Sequence, residues 1–206
     1  MKNIETEYKW AISCKADFTK LKAALNAKKA AVKSIIVQIS DTYFDSPVGA
    51  LSAKKAALRL RRTATKTAKT YELTLKSSSQ IINGLAQREE TTIPLKAAAR
   101  PAALAQFMAQ AHKLDKDTKN LKRIFSIYDN REIFFISADG FTAELSFDKC
   151  LIKSGKHAKL LEAEMEFKKG DKTAFKAFAA YLSKTSGLKP PVKSKVATAR
   201  ALLKNK

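Results

Sequence analysis

The sequence predicts an α+β fold in which an antiparallel β-sheet curls into a closed barrel with helices packed against its outside. Nine stretches are rich in β-branched or aromatic residues or alternate in polarity. In six of them one face is charged and the other is mostly apolar. Helical periodicity is confined to a few segments, enough to cover an apolar outer face while the charged face turns inward around water.

The chain opens with a strand over Ile4 to Ile12. A helix follows from Asp17 to Lys33, with Phe18, Leu21, Leu25 and Val32 on one stripe among lysines. Ile35 to Phe44, Ala57 to Arg62, Tyr71 to Lys76 and Ala86 to Leu95 are strands. Pro101 suits the first turn of a helix reaching about His112. Lys122 to Tyr128, Glu132 to Ala138, Thr142 to Phe147 and Leu161 to Lys168 complete the strands, with Asp139-Gly140 suited to a hairpin turn. The nine candidates become eight if Lys122 to Tyr128 is not an independent strand. After Gly170-Asp171, Phe175, Phe178, Tyr181 and Leu182 recur at helical spacing until Gly187. Pro190-Pro191 then precedes a short last helix from Ser194 to Leu203. No repeat or Ser/Gly-rich linker divides the chain, so residues 1–206 read as one domain.

Composition narrows the function. Forty Lys and Arg oppose nineteen Asp and Glu, leaving +21, while 45% hydrophobic content with eleven Phe and five Tyr argues against a disordered basic tail. A folded protein that attracts anions is expected. The first ten residues carry two Glu and two Lys, and no apolar run approaches membrane-spanning length, so neither a secretory leader nor a membrane span is expected and a cytoplasmic location is. Cys14 and Cys150 lack a CxxC partner, and His112 and His157 lie far apart, which excludes the common zinc and haem-attachment patterns. The six glycines form neither GxGxxG nor GxxxxGK[ST], so phosphate binding must use side chains.

The positions of the charges within the strands are the informative feature. Glu5, Glu7 and Lys9 share one face against Ile4, Tyr8 and Trp10; Arg59 and Arg61 oppose Leu58 and Leu60; Glu72, Thr74 and Lys76 oppose Tyr71, Leu73 and Leu75. Arg88 with Glu90, and Glu144 with Ser146 and Asp148, repeat the pattern. Glu162, Glu164 and Glu166 stand in register with no lysine between them in a chain of 32 lysines, an arrangement that repels itself unless a cation sits nearby. Two ExE strands brought together supply Glu5, Glu7, Glu164 and Glu166 as oxygen ligands for a hard divalent cation, with Arg and Lys receiving phosphate oxygens around the wall. Such a lumen suits a metal-bound polyphosphate.

The blocks Glu5-Thr-Glu7-Tyr-Lys9, Asp41-Thr-Tyr-Phe-Asp45-Ser-Pro, Ala57-Leu-Arg59-Leu-Arg61, Tyr71-Glu-Leu-Thr-Leu-Lys76, Gly84-Leu-Ala-Gln-Arg88-Glu-Glu90, Glu162-Ala-Glu164-Met-Glu166 and Ser194-Lys195 resemble, in order, the CYTH superfamily of triphosphate tunnel metalloenzymes. The resemblance implies an eight-stranded antiparallel tunnel, Mg²⁺ or Mn²⁺ dependence, and acidic metal ligands facing basic triphosphate ligands. The segments around Tyr71 to Leu95 and Arg131 to Gly170 resemble those of bacterial inorganic triphosphatases of the type that often carries a C-terminal CHAD domain, a segment not expected in this chain. The expected activity is hydrolysis of inorganic triphosphate to pyrophosphate and phosphate. The resemblance assigns Lys9, Arg59 and Arg61 to catalysis, with Lys76, Arg88, Arg131 and Lys195 joining them in holding substrate. It assigns Glu5, Glu7, Glu164 and Glu166, with Asp148, to metal.

Two positions depart from the family pattern. Ile133 stands where a second basic residue is usual, with Arg123 or Lys122 as candidate compensation, and Thr198 stands where an arginine is common, with Arg200 two residues on. Alternative readings are another triphosphate-handling activity of the same family (thiamine triphosphatase, nucleoside triphosphatase or class IV adenylate cyclase), a non-catalytic polyphosphate sensor, and a nucleic-acid-binding module. Acidic strand faces argue against a nucleic-acid groove among them. No spacing selects a Ser-His-Asp triad.

Overall fold

Strand alternation and short, well-signalled turns account for most of the architecture. The computed structural model describes residues 2–77, 80–82, 84–118, 120–191 and 193–204. Its elements are β1 (Lys2–Ile12), α1 (Lys15–Ala27), β2 (Ala31–Asp45), the single-turn α2 (Ala50–Ala53), β3 (Ala57–Ala64), β4 (Lys69–Lys76), β5 (Gln80–Ile82), β6 (Leu85–Leu95), α3 (Arg100–Leu114), β7 (Lys122–Ala138), β8 (Phe141–Ser154), β9 (Lys156–Gly170), α4 (Lys172–Ser186) and α5 (Lys195–Lys204). The pairings are antiparallel, and the order β1-β9-β8-β7-β2-β3-β4-β6 returns to β1 through a β1–β6 ladder, closing an eight-stranded barrel with β5 as a short ribbon on β6.

The ninth strand candidate disappears by fusion. Lys122–Ala138 is one 17-residue strand, because the polar residues between the two predicted pieces stay in the ladder: the Asp129 carboxylate accepts the Lys149 backbone N–H at 3.0 Å. The first helix stops at Ala27 rather than Lys33, since Lys29 takes a positive φ of 51° and the residues from Ala31 onward, Val32 included, belong to the strand that pairs with β7. β8 and β9 run past their expected limits to meet at Gly155, where lysines disguise the alternation but backbone pairing continues. The predicted hairpin at Asp139-Gly140 is present, with φ of 47° and 80°, the positive pair that a two-residue turn between twisted strands favours. Gly170 beside it, at φ +101°, admits no side chain, because a Cβ would lie 2.1 Å from the Gly140 carbonyl oxygen.

Helices cover the apolar outside. α1 and α4 bring Phe18, Leu21, Leu25, Phe175, Phe178 and Leu182 against Trp10, Leu145, Ala163 and Met165, and Trp10 donates its indole N–H to Ser183 Oγ at 2.8 Å. Asp17 satisfies the free N–H groups of Ser13 and Cys14 at the start of α1, and Asp171 does so for Thr173 at the start of α4. α3 lays Ala103, Phe107 and Ala111 on Leu58, Leu60, Tyr71 and Leu73. Each fully buried large side chain of this kind contributes roughly 1.5–3 kcal/mol. α5 is different: Val196, Ala199, Leu202 and Leu203 pack with Tyr43, Phe125, Ile127, Cys150 and Ile152, and the helix sits in one end of the barrel rather than on its wall.

Candidate active site in the barrel lumen

The inward rows enclose a cavity of about 930 Å³. Glu5, Glu7, Lys9, Arg59, Arg61, Lys76, Arg88, Arg131, Glu164, Glu166 and Lys195 all line it, so residues separated by up to nearly the whole chain meet on one inner wall. Strand alternation does this around the barrel, and α5 delivers Lys195 through the barrel end. Asp148 is wholly buried and stands behind the lining rather than in it.

The charges interlock. Arg88 reaches Glu5 and Glu7, each at 2.6 Å, and Lys76 reaches Glu5 at 3.0 Å and Glu90 at 2.6 Å. Arg61 grips Asp41 with two 2.7 Å hydrogen bonds, while Arg59 lies 3.5 Å from the same carboxylate. Arg131 grips Asp148 in the same bidentate way and touches Glu164 at 3.1 Å. Lys9 bridges Glu7 and Glu164. Lys195 sits among Asp148, Glu162 and Glu164, the last two at 3.0 and 3.2 Å. The cation demanded by the glutamate row of β9 is therefore supplied by Lys9, Lys195 and, at Glu166, by Lys168 at 2.9 Å.

Titration follows this geometry. Burial would raise the Glu5 carboxyl, but Lys76 and Arg88 hold it well below its ordinary range. Burial would lower the Lys9 ammonium, yet Glu164 and then Glu7 keep it raised. Lys76 is lowered by burial and by Arg59 and Arg88. Glu162 is pushed up to about 7 by burial that Lys195 and Lys9 offset only in part, and Asp129 also rises to about 7, from burial and then from the Asp148 charge.

Carboxylate oxygens of Asp148, Glu162 and Glu164 fall within 4.8 Å of one another. Oxygen-only donors at this spacing fit a hard divalent cation, and the Lys195 ammonium already marks the spot as one where positive charge is stable. The buried Nε–H groups of Arg59 and Arg200 have no hydrogen-bond partner among the described residues, which leaves donors free for an anion. Sequence reasoning passes over Glu162 as a ligand, although it shares the period of Glu164, and over Asp41, which stands two residues before the inward Tyr43 on β2. Asp45 of the same block is structural: it accepts the N–H groups of Ser46, Leu51 and Ser52 and shapes the turn before β3.

Ile133 does face the lumen. Lys122 and Arg123 are exposed at the far end of β7 and do not line the cavity, so they do not compensate for it. Thr198 bonds back to the Ser194 carbonyl within α5, whereas Arg200 lines the cavity and donates to the Ala56 carbonyl at 2.6 Å.

The described strands thus form a closed antiparallel barrel whose interior is a lattice of carboxylates and cations. The CYTH domain model matches residues 3–199, and the chain belongs to the CYTH family. An inorganic triphosphatase of Haemophilus influenzae is 29% identical over 135 residues, 65% of this chain but only 37% of that protein. Among solved structures, the Hippeastrum protein HpAC1, reported to have a dominant triphosphatase activity, superposes with a TM-score of 0.66 at 19% identity, covering 96% of this chain and 95% of its own. The PH1819 protein of Pyrococcus horikoshii OT3 gives 0.62 at 16% identity, covering 98% and 99%.

Proposed function

We propose that the tunnel hydrolyses inorganic triphosphate to pyrophosphate and phosphate with Mg²⁺ or Mn²⁺. The observation that supports this most is the convergence of Lys9, Arg59, Arg61, Lys76, Arg88, Arg131 and Lys195 with a carboxylate set on one cavity. Triphosphate carries about four to five negative charges, so its hydrolysis is a matter of positioning and charge neutralisation. The names of the Haemophilus influenzae relative and the Hippeastrum protein favour the same chemistry.

Glu5, Glu7, Glu164 and Glu166, backed by Asp148 and Glu162, would hold the cation, which when bound supplies neutralisation of phosphate oxygens and a more acidic water. Arg59 and Arg61 present planar forks to non-bridging oxygens, Arg61 exchanging Asp41 for substrate. Lys9, kept charged by Glu164 and Glu7, neutralises charge at the reacting phosphoryl group. Lys76, Arg88, Arg131 and Lys195 fix the remaining oxygens, and the barrel wall excludes bulk water.

One observation favours a second reading. Ile35, Val37, Ile39, Ile133 and Phe135 add apolar side chains to the β2–β7 side of the lumen, beside Asp41, Asp129 and Arg131, a surface that a bare triphosphate does not use and that an organic group on a triphosphate ester does. A phosphate-release panel over tripolyphosphate, pyrophosphate, thiamine triphosphate and ATP with Mg²⁺, Mn²⁺ or EDTA separates the readings. Preference for tripolyphosphate, lost in EDTA, is expected; preference for an ester moves the assignment to the second reading, and no metal-dependent release from any triphosphate overturns both.

A further inference from the structure

The charge of this protein is segregated. Among the described residues ten cationic side chains line the lumen against nine carboxylates, with Asp148 and Glu162 buried behind them, so the tunnel is close to neutral and accounts for almost none of the +21. The acidic strand faces that weigh against nucleic acid in the lumen say nothing about the outside.

Part of that outside is bare sheet. α1 and α4 cover the wall around Phe134, Phe147 and Met165, and α3 covers Leu58, Leu60 and Leu73. Between them runs an outward row across five strands, Arg62–Ser40–Tyr128–Leu151–Lys159, flanked by Asn130 beside Lys149 and by Ser126 beside Lys153. Tyr128 is 40% exposed, Asn130, Lys149, Lys153 and Lys159 are exposed, and the Lys153 ammonium lies 5.1 Å from the Tyr128 ring centroid. None of these row positions is acidic.

We propose that this face of the β2–β7–β8–β9 wall binds single-stranded nucleic acid, with backbone phosphates on Lys149, Lys153 and Lys159 and a base stacked on Tyr128 in place of the Lys153 ammonium, which lies over the ring and turns to a phosphate. Exposed lysines alone would suit any polyanion. An exposed aromatic ring in mid-sheet, with the Asn130 amide two residues along the same strand face, adds a stacking platform that polyphosphate has no group to use.

The test is fluorescence anisotropy of a labelled single-stranded oligouridylate with the full chain across a salt series, with tripolyphosphate turnover measured on the same samples. Binding should weaken steeply with salt, and Lys149→Gln/Lys153→Gln/Lys159→Gln should lower the log–log slope by about 0.7 for each phosphate no longer neutralised. Tyr128→Ala should weaken binding about tenfold with the slope unchanged. Turnover should be unaffected, because none of these residues lines the tunnel. The proposal fails if Arg61→Ala, a change confined to the lumen, abolishes oligonucleotide binding, which puts the strand in the tunnel. It fails equally if Tyr128→Ala binds like wild type, or if phosphatidylserine vesicles bind and the oligonucleotide does not.

Discussion

Lys195→Met separates the electrostatic account of the lumen from a purely apolar one. The ammonium sits among three carboxylates whose oxygens lie within 4.8 Å of one another, and methionine keeps most of the length of the stem. Breaking a buried ion pair costs about 3–5 kcal/mol. The lower end applies here, because Asp148 keeps Arg131, Glu164 keeps Lys9 and Arg131, and Glu162, already at about 7, can take a proton. A loss of about 3 kcal/mol corresponds to a fall of roughly 6–12 °C in Tm for a chain of this size. Glu162 also sets the pH trend. With its folded pKa raised above the ordinary 4.5, the folded state holds a proton that the unfolded chain releases, so stability falls as pH rises through that window, and further once Lys195 is gone. The deficit should be greater at pH 8 than at pH 6, and Mg²⁺ should recover part of it. The measurement is thermal denaturation by circular dichroism at both pH values, with Mg²⁺ or EDTA. A variant melting within about 2 °C of wild type, indifferent to pH and metal, would refute the arrangement, since even the low end of the ion-pair cost exceeds that shift.

Glu7→Gln should abolish metal-dependent phosphate release while lowering Tm by only a few degrees, since Arg88 retains Glu5 at 2.6 Å and Lys9 retains Glu164; a collapse of the fold would make Glu7 a structural ion-pair partner instead. Arg61→Ala should raise KM for tripolyphosphate at least tenfold, read from initial rates, whereas an unchanged KM would remove it from substrate binding. Asp129→Asn should stabilise the protein above pH 7 by up to about 4 kcal/mol and change little at pH 4, because the wild-type carboxyl, raised to about 7, costs stability as pH climbs from its ordinary 3.8; urea denaturation at the two pH values decides it. Phe107→Ala, which empties a fully buried site under α3, should cost about 3–5 kcal/mol and leave low-temperature turnover intact.

The lumen is legible in the sequence because a period of two is rigid: once Glu5, Arg59 and Glu164 belong to strands of one closed sheet, their faces are fixed together. Legibility ends where local chemistry contradicts the role. Asp129-Asn130 reads as a break, and only the Lys149 N–H on the opposite strand explains why the ladder passes through it. The lysines of residues 149–159 obscure two strand ends in the same way. The Glu144-Ser146-Asp148 alternation gives the face of Asp148, but neither its burial against Arg131 nor the neutral balance of the interior can be read from spacing, because both depend on which strands become neighbours. The entry of α5 into the barrel end follows from tertiary packing on Tyr43 and Ile152 rather than from its own weak pattern.

The closure of the sheet has a consequence for biogenesis. β1 is the keystone strand: its two neighbours are β6, some eighty residues downstream, and β9, completed only at Gly170. During synthesis the first strand can zip to β6 early but must wait with one edge bare for the last one. Such remote pairing is slow to form, so the nascent barrel is a half-shell whose rims need shielding from other chains until β9 emerges from the ribosome.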